Sequence, residues 1–243
     1  MKISELFYSI QGEGKRTGYP SFFIRTNFCN LRCKFPSGNL CDTAYTSWNP
    51  EDDGNLGNLE TDKTIKEYKK YFPVDVVITG GEPTIQLSEL YILTSEIKKL
   101  SKDIYITVET NGTFIGEFIN NVDLISISPK IKSSVPFGTE FEKMHQQNRI
   151  NIDSFKIYND FHKDKKIDIQ WKFVVNNEED IVEILLLANE IGITNRDIYL
   201  MPEGITKEDI EQKRELIIDL CRKYKMNFTD RLQIILWGNK RGV

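Results

Sequence analysis

The chain has 243 residues, 40% of them hydrophobic and 28% charged, a balance that allows a sizeable core in one domain. A net charge of -4 excludes a surface built to grip polyanions, so no nucleic-acid partner is expected. No apolar run approaches the roughly 18 residues of a membrane helix, and the segment from Met1 to Phe7 has no apolar signal core. The expectation is a cytoplasmic protein without a membrane partner, whose thiols stay reduced.

Short apolar runs alternate with amphipathic segments along the chain. Strands are predicted over 21–27, 74–79, 104–109, 123–128, 169–175 and 197–201, with 232–237 as a further candidate. Helical periodicity covers 87–100, 179–191 and 207–224. Polar stretches at 46–64 and 131–166 read as loops or insertions, and the two histidines, His145 and His162, are expected to be solvated there. The helix of the first β/α unit is expected to be reduced, because 47–58 is rich in Asp, Asn and Gly. The pattern predicts an α/β chain, an incomplete TIM-like barrel of about six parallel strands with fewer helices than strands.

The unusual residues sit just past the predicted strands. Cys29 follows the first, Gly80-Gly81-Glu82-Pro83 the second, Thr110-Asn111-Gly112 the third, Ser128-Pro129-Lys130 the fourth, and Met201-Pro202-Glu203-Gly204 closes the sixth. In a β/α barrel, loops at the strands' carboxyl ends build the active site, so these motifs are expected to meet at one mouth.

Three of the four cysteines, Cys29, Cys33 and Cys41, fall within thirteen residues. Three thiolates leave a metal centre one ligand short, as in an iron–sulfur cluster with one free iron; a structural zinc site would need Asp42 or a distant residue to close it. Cys221 shares a helical face with Ile210, Ile217 and Tyr224 and is expected to be a small core residue. Glycines after a strand let a ligand approach the backbone, although Gly-Gly and Pro are also plain turn punctuation. Gln11 can both donate and accept through its amide, Glu13 can accept from N–H groups, and Arg25 offers a planar fork for a carboxylate. The bland alternative is a Gly-rich turn with a solvated Glu and a surface Arg.

The cysteine loop with Gly80-Gly81-Glu82-Pro83 resembles the radical S-adenosylmethionine superfamily. Tyr8-Ser9-Ile10-Gln11-Gly12-Glu13-Gly14, Gly18-Tyr19-Pro20, Arg25 ahead of Cys29, Cys41-Asp42-Thr43 and Lys172-Phe173-Val174-Val175 narrow the match to its 7-carboxy-7-deazaguanine synthase family, over essentially the whole chain. The resemblance implies a [4Fe–4S] cluster on Cys29, Cys33 and Cys41, and S-adenosylmethionine as cofactor. The cofactor side would comprise Leu40, Asp42, Gly80, Gly81, Glu82, Glu109, Ser128, Pro129, Lys130, Met201, Pro202, Glu203 and Gly204. The substrate side would comprise Ile10, Gln11, Gly12, Glu13, Arg25, Thr79 and Val243. Thr43, by spacing a helix N-cap, is a Mg2+ ligand by resemblance.

The implied reaction is a radical ring contraction of 6-carboxy-5,6,7,8-tetrahydropterin with loss of ammonia, fed by an electron donor such as flavodoxin or ferredoxin, in a homodimer. A radical activase of a partner protein and a zinc-stabilised binding module are the competing readings. The chain departs from the family pattern in having seven residues, 34–40, between Cys33 and Cys41 where two are usual. Pro36, Ser37, Gly38 and Asn39 are turn formers, so this length is expected to loop out, with Leu40 or Phe35 filling the slot before the third cysteine.

Overall fold

The computed structural model describes all 243 residues. A nine-stranded sheet runs in the order β3 (Gly57–Asn58), β1 (Lys2–Ile10), β2 (Pro20–Thr26), β4 (Asp75–Gly80), β5 (Ile106–Thr110), β6 (Leu124–Ile127), β7 (Asp168–Val175), β8 (Ile198–Pro202), β9 (Asn227–Phe228). From β2 onward all neighbours are parallel, and the six predicted strands are β2 and β4–β8. The two ends of the sheet do not pair, so the barrel stays open.

The helices are α1 (Ala44–Ser47), α2 (Thr61–Tyr68), α3 (Leu87–Leu100), α4 (Glu142–Asn148), α5 (Ile152–Lys163), α6 (Asp180–Ile191), α7 (Lys207–Tyr224) and α8 (Leu232–Trp237); α3, α5, α6 and α7 pack on the outer face, whereas α1 and α8 reach the cavity. No helix is long and apolar enough to cross a membrane.

Strand alternation sorts the side chains into two populations. Phe22, Ile24, Val76, Ile78, Ile125, Ile127, Trp171, Phe173, Ile198 and Leu200 face outward into a core shared with the helices. Phe23, Arg25, Thr79, Glu109, Ser126, Lys172, Val174 and Met201 face inward, where they line a cavity. In β1 a bulge between Ile3 and Glu5 switches the pattern, so Ile3 joins the core while Phe7 faces the cavity.

Four expectations are corrected. Segment 1–10 carries β1, antiparallel to β2, where no element was predicted. Residues 232–237 form α8, not a strand: the run is too short for periodicity to decide, and Gly238 at φ 69 stops the helix with its N–H on Ile234 O. The 131–166 stretch contains α4 and α5; α5 is started by Asn151, whose side chain accepts from Ser154 N, and buries Phe155 and Tyr158. The 46–64 stretch runs into α2, which buries Tyr68.

Candidate active site

Strand ends β1, β2, β4, β5, β6, β7 and β8, with the segment after β9, surround one cavity holding about 1320 Å3 of empty space, its open mouth included. Every residue selected from the sequence lines it except Glu82, Pro129 and Pro202.

The cysteine loop leaves β2 through Phe28, a bulky residue held at φ 72. Its carbonyl accepts from Glu82 N at 2.8 Å, and Thr26 O accepts from Gly81 N at 3.0 Å. The loop is thereby stitched to the Gly-Gly turn so closely that a Cβ on Gly81 would stand 2.1 Å from Phe28 O. This close approach requires glycine at 81.

The seven-residue gap folds as expected. Lys34 pairs with Leu40 across a turn in which Phe35 N donates to Asn39 O at 2.8 Å. Cys41 N then reaches Cys33 O at 3.2 Å, so the extra residues bulge out without parting the two cysteines. Both Phe35 and Leu40 line the cavity. Behind the loop, His145 is fully buried, which corrects the expectation of a solvated side chain. Its Nδ1 accepts from Arg32 N at 3.2 Å, its Nε2 meets the Ser134 hydroxyl at 3.2 Å, and burial brings its pKa down to about 4.

Cys29, Cys33 and Cys41 are free thiols on the wall of the cavity. Burial pushes the Cys29 thiol up to about 12 and raises Cys33 and Cys41 as well, so thiolates here call for a bound cation. No three Cys, His, Asp or Glu side chains converge on a point where a single ion would sit. Three thiols lining one cavity, with no fourth cysteine or histidine beside them, fit the donor set of an iron–sulfur cluster. Thr43 stands at the N-cap position of α1 but caps nothing; its Oγ1 lies 3.3 Å from Cys41 Sγ. Cys221 is buried in the core, as expected.

Glu82 is fully buried, and its carboxylate is already occupied. Oε1 accepts from Thr84 N at 3.0 Å, Thr84 Oγ1 at 2.6 Å and Thr110 Oγ1 at 2.6 Å, while Oε2 accepts from Asn111 N at 2.6 Å. It fastens the turn after β4 to the end of β5. Lys130 donates to Ser128 O and Oγ at 2.8 Å each, and buried Glu203 is paired with Lys213.

In the same cavity, Gln11 donates to Glu109 Oε1 at 3.1 Å, and Thr79 Oγ1 donates to Glu109 Oε2 at 2.8 Å. Glu13 is held by Lys172, by Arg231 at 3.2 Å and by Gln233 at 2.7 Å. Burial opposes its ionisation, but the Lys172 and Arg231 charges prevail and bring its carboxyl down to about 2. Arg25 donates through Nε to Glu5 at 2.9 Å, and neither Nη makes a hydrogen bond within the chain. Glu5 also accepts from Tyr45 Oη at 2.9 Å and from Arg241 at 2.8 Å.

Sequence reasoning missed Glu5, Arg231 and Gln233, and gave Lys172 no role. A lysine interrupting the apolar 169–175 run was the one available signal. The other three depend on contacts between segments far apart in the chain.

The sequence profile of the Radical SAM superfamily matches residues 23–217. A 7-carboxy-7-deazaguanine synthase of Halobacterium salinarum is 36% identical over 98% of this chain and 91% of its own length. One from Rhodopirellula baltica is 36% identical over 99% of this chain and 88% of its own. The crystal structure of QueE from Escherichia coli shares the fold, with a TM-score of 0.64 over 95% of this chain and 93% of that one, at 21% identity. The thiol-lined cavity at the strand ends thus belongs to a member of the radical SAM superfamily and, within it, of the 7-carboxy-7-deazaguanine synthase family.

Proposed function

We propose that this chain, acting as one radical SAM domain, converts 6-carboxy-5,6,7,8-tetrahydropterin to 7-carboxy-7-deazaguanine with release of one ammonia. The carrying observation is a single cavity lined both by three thiols with the Gly81 turn and by Gln11, Glu13 and Arg25. Cys29, Cys33 and Cys41 would hold the [4Fe–4S] cluster, and Gly81 with the Ser128, Lys130 and Met201–Gly204 strand ends would take S-adenosylmethionine. When bound, these groups supply one-electron chemistry that removes hydrogen from an unactivated carbon.

The chain's own residues bind and orient the substrate. The two unpaired Nη groups of Arg25 take its carboxylate as a fork. Glu109 fixes the Gln11 amide against the ring edge, and the Lys172 and Arg231 cations keep Glu13 ionised as an acceptor for ring N–H groups. Phe7, Phe23 and Val174 supply apolar walls that exclude water. Val243 lines the same cavity and is the remaining substrate contact.

The reading extends to Mg2+ at Thr43, supported by a hydroxyl that caps no helix and lines the cavity. It also includes a flavodoxin- or ferredoxin-type electron donor, a homodimer and a cytoplasmic address, on the strength of family membership. The test is anaerobic turnover with S-adenosylmethionine, reductant and carboxytetrahydropterin, followed by mass spectrometry. A product 17 mass units lighter than the substrate, the mass of ammonia, is expected. Intact substrate beside a fully reconstituted cluster would refute the assignment.

A further inference from the structure

The sheet is open between its two ends, and the segment after β9 reaches across to the turn that follows β1. Leu232 N donates to Gly12 O at 3.1 Å, and Gly14 N donates to Thr229 Oγ1 at 2.7 Å. At the centre lies Arg231, 6% exposed, with one guanidinium turned to three separate segments of the chain. Nε donates to Glu13 after β1 at 3.2 Å, Nη2 to Asp42 on the cysteine loop, and Nη1 to the Gly204 carbonyl after β8. Glu13, Asp42 and Gly204 all line the cavity.

We infer that Arg231 is a positioning residue that fixes the substrate-recognising carboxylate of Glu13 relative to the cofactor-side wall formed by Asp42 and Gly204. This rests on the proposed division of the cavity into a pterin end and an S-adenosylmethionine end. The physical reason for arginine is its geometry: one planar group sends donors in three directions and stays charged, which a point-charge ammonium cannot do. The two ligand subsites are therefore mechanically joined through one side chain, and loosening it should weaken both.

The test uses Arg231→Lys and Arg231→Met in reconstituted protein, reading iron content, melting temperature and, separately, equilibrium dissociation constants for S-adenosylmethionine and for carboxytetrahydropterin. Arg231→Lys keeps the charge and is expected to melt near the parent protein with full iron, yet to bind each ligand about tenfold more weakly, about 1.4 kcal/mol apiece. Arg231→Met is expected to bind more weakly still. Asp42→Asn approaches from the other side: combined with Arg231→Met it should add less than its separate effect on S-adenosylmethionine affinity. An S-adenosylmethionine dissociation constant within twofold of the parent in Arg231→Lys, with full iron, overturns the inference. If the parent protein binds S-adenosylmethionine but no pterin, the proposed substrate falls, and the cofactor measurements still decide the role of Arg231.

Discussion

Glu5 and Arg25 stand directly opposite each other across the antiparallel β1–β2 pair, with Arg25 Nε 2.9 Å from Glu5 Oε2. Glu5 thus fixes the stem of the guanidinium and leaves its two terminal nitrogens free toward the cavity. Glu5→Gln preserves the shape but removes the charge, so Arg25 can swing. The expected result is a KM for carboxytetrahydropterin raised about tenfold, with S-adenosylmethionine affinity unchanged and about 1–3 kcal/mol of stability lost. An unchanged KM would mean that Glu5 serves only the β1–β2 pair.

Gly81→Ala tests the close approach beside the cysteine loop. The added methyl would lie 2.1 Å from Phe28 O and 3.1 Å from Cys29 N, so backbone has to move and Cys29 moves with it. Reconstituted iron should fall well below the parent level, with about 3 kcal/mol or more of destabilisation. Normal iron content and melting would show that the loop has slack.

Alanine at Cys29, Cys33 or Cys41 should each abolish the visible absorbance of the reconstituted protein and most of its iron. Cys221 is different in kind: it sits 5% exposed in the core, with its thiol donating to Asn227 O at 3.2 Å. Cys221→Ala should keep the iron and lose about 1 kcal/mol of stability by urea unfolding. Loss of colour in that variant would place Cys221 at the cluster.

The inner strands were legible because each is a short apolar run ending in an unusual polar motif, and alternation then decides which side chains face the cavity. Lys172 shows where that reading falls short: its strand was recognised, but its partner Glu13 lies 159 residues away. β1 escaped notice because its polar and apolar residues do not alternate cleanly, the bulge after Ile3 being the cause. α5 was hidden because Phe155 and Tyr158 are outnumbered by charged neighbours, although they carry the helix into the core. Glu82 is the converse case. Its motif was conspicuous, yet its carboxylate is spent on Thr84, Thr110 and Asn111, contacts no spacing rule reveals.

The Glu13 carboxyl gives a pH test with a definite sign. Its ordinary value is 4.5, and in the folded chain Lys172 and Arg231 overcome the burial penalty to bring it to about 2. A lowered acid stabilises the fold wherever the unfolded chain would also be ionised, that is above about pH 4.5, and the contribution fades as pH falls toward about 2. The difference in unfolding free energy between the parent protein and Glu13→Gln should therefore be constant from pH 7 to about pH 5 and shrink steadily below it. Iron-free protein is the right sample, because acid dissolves iron–sulfur clusters and would mask the effect. Urea unfolding at pH 7, 5, 4 and 3 for both proteins, taken as a difference, cancels the titration of every other carboxylate. A difference that stays flat down to pH 3 would show that Glu13 is not held by its two cations, and with it would go the account of how the substrate-side acceptor is kept charged.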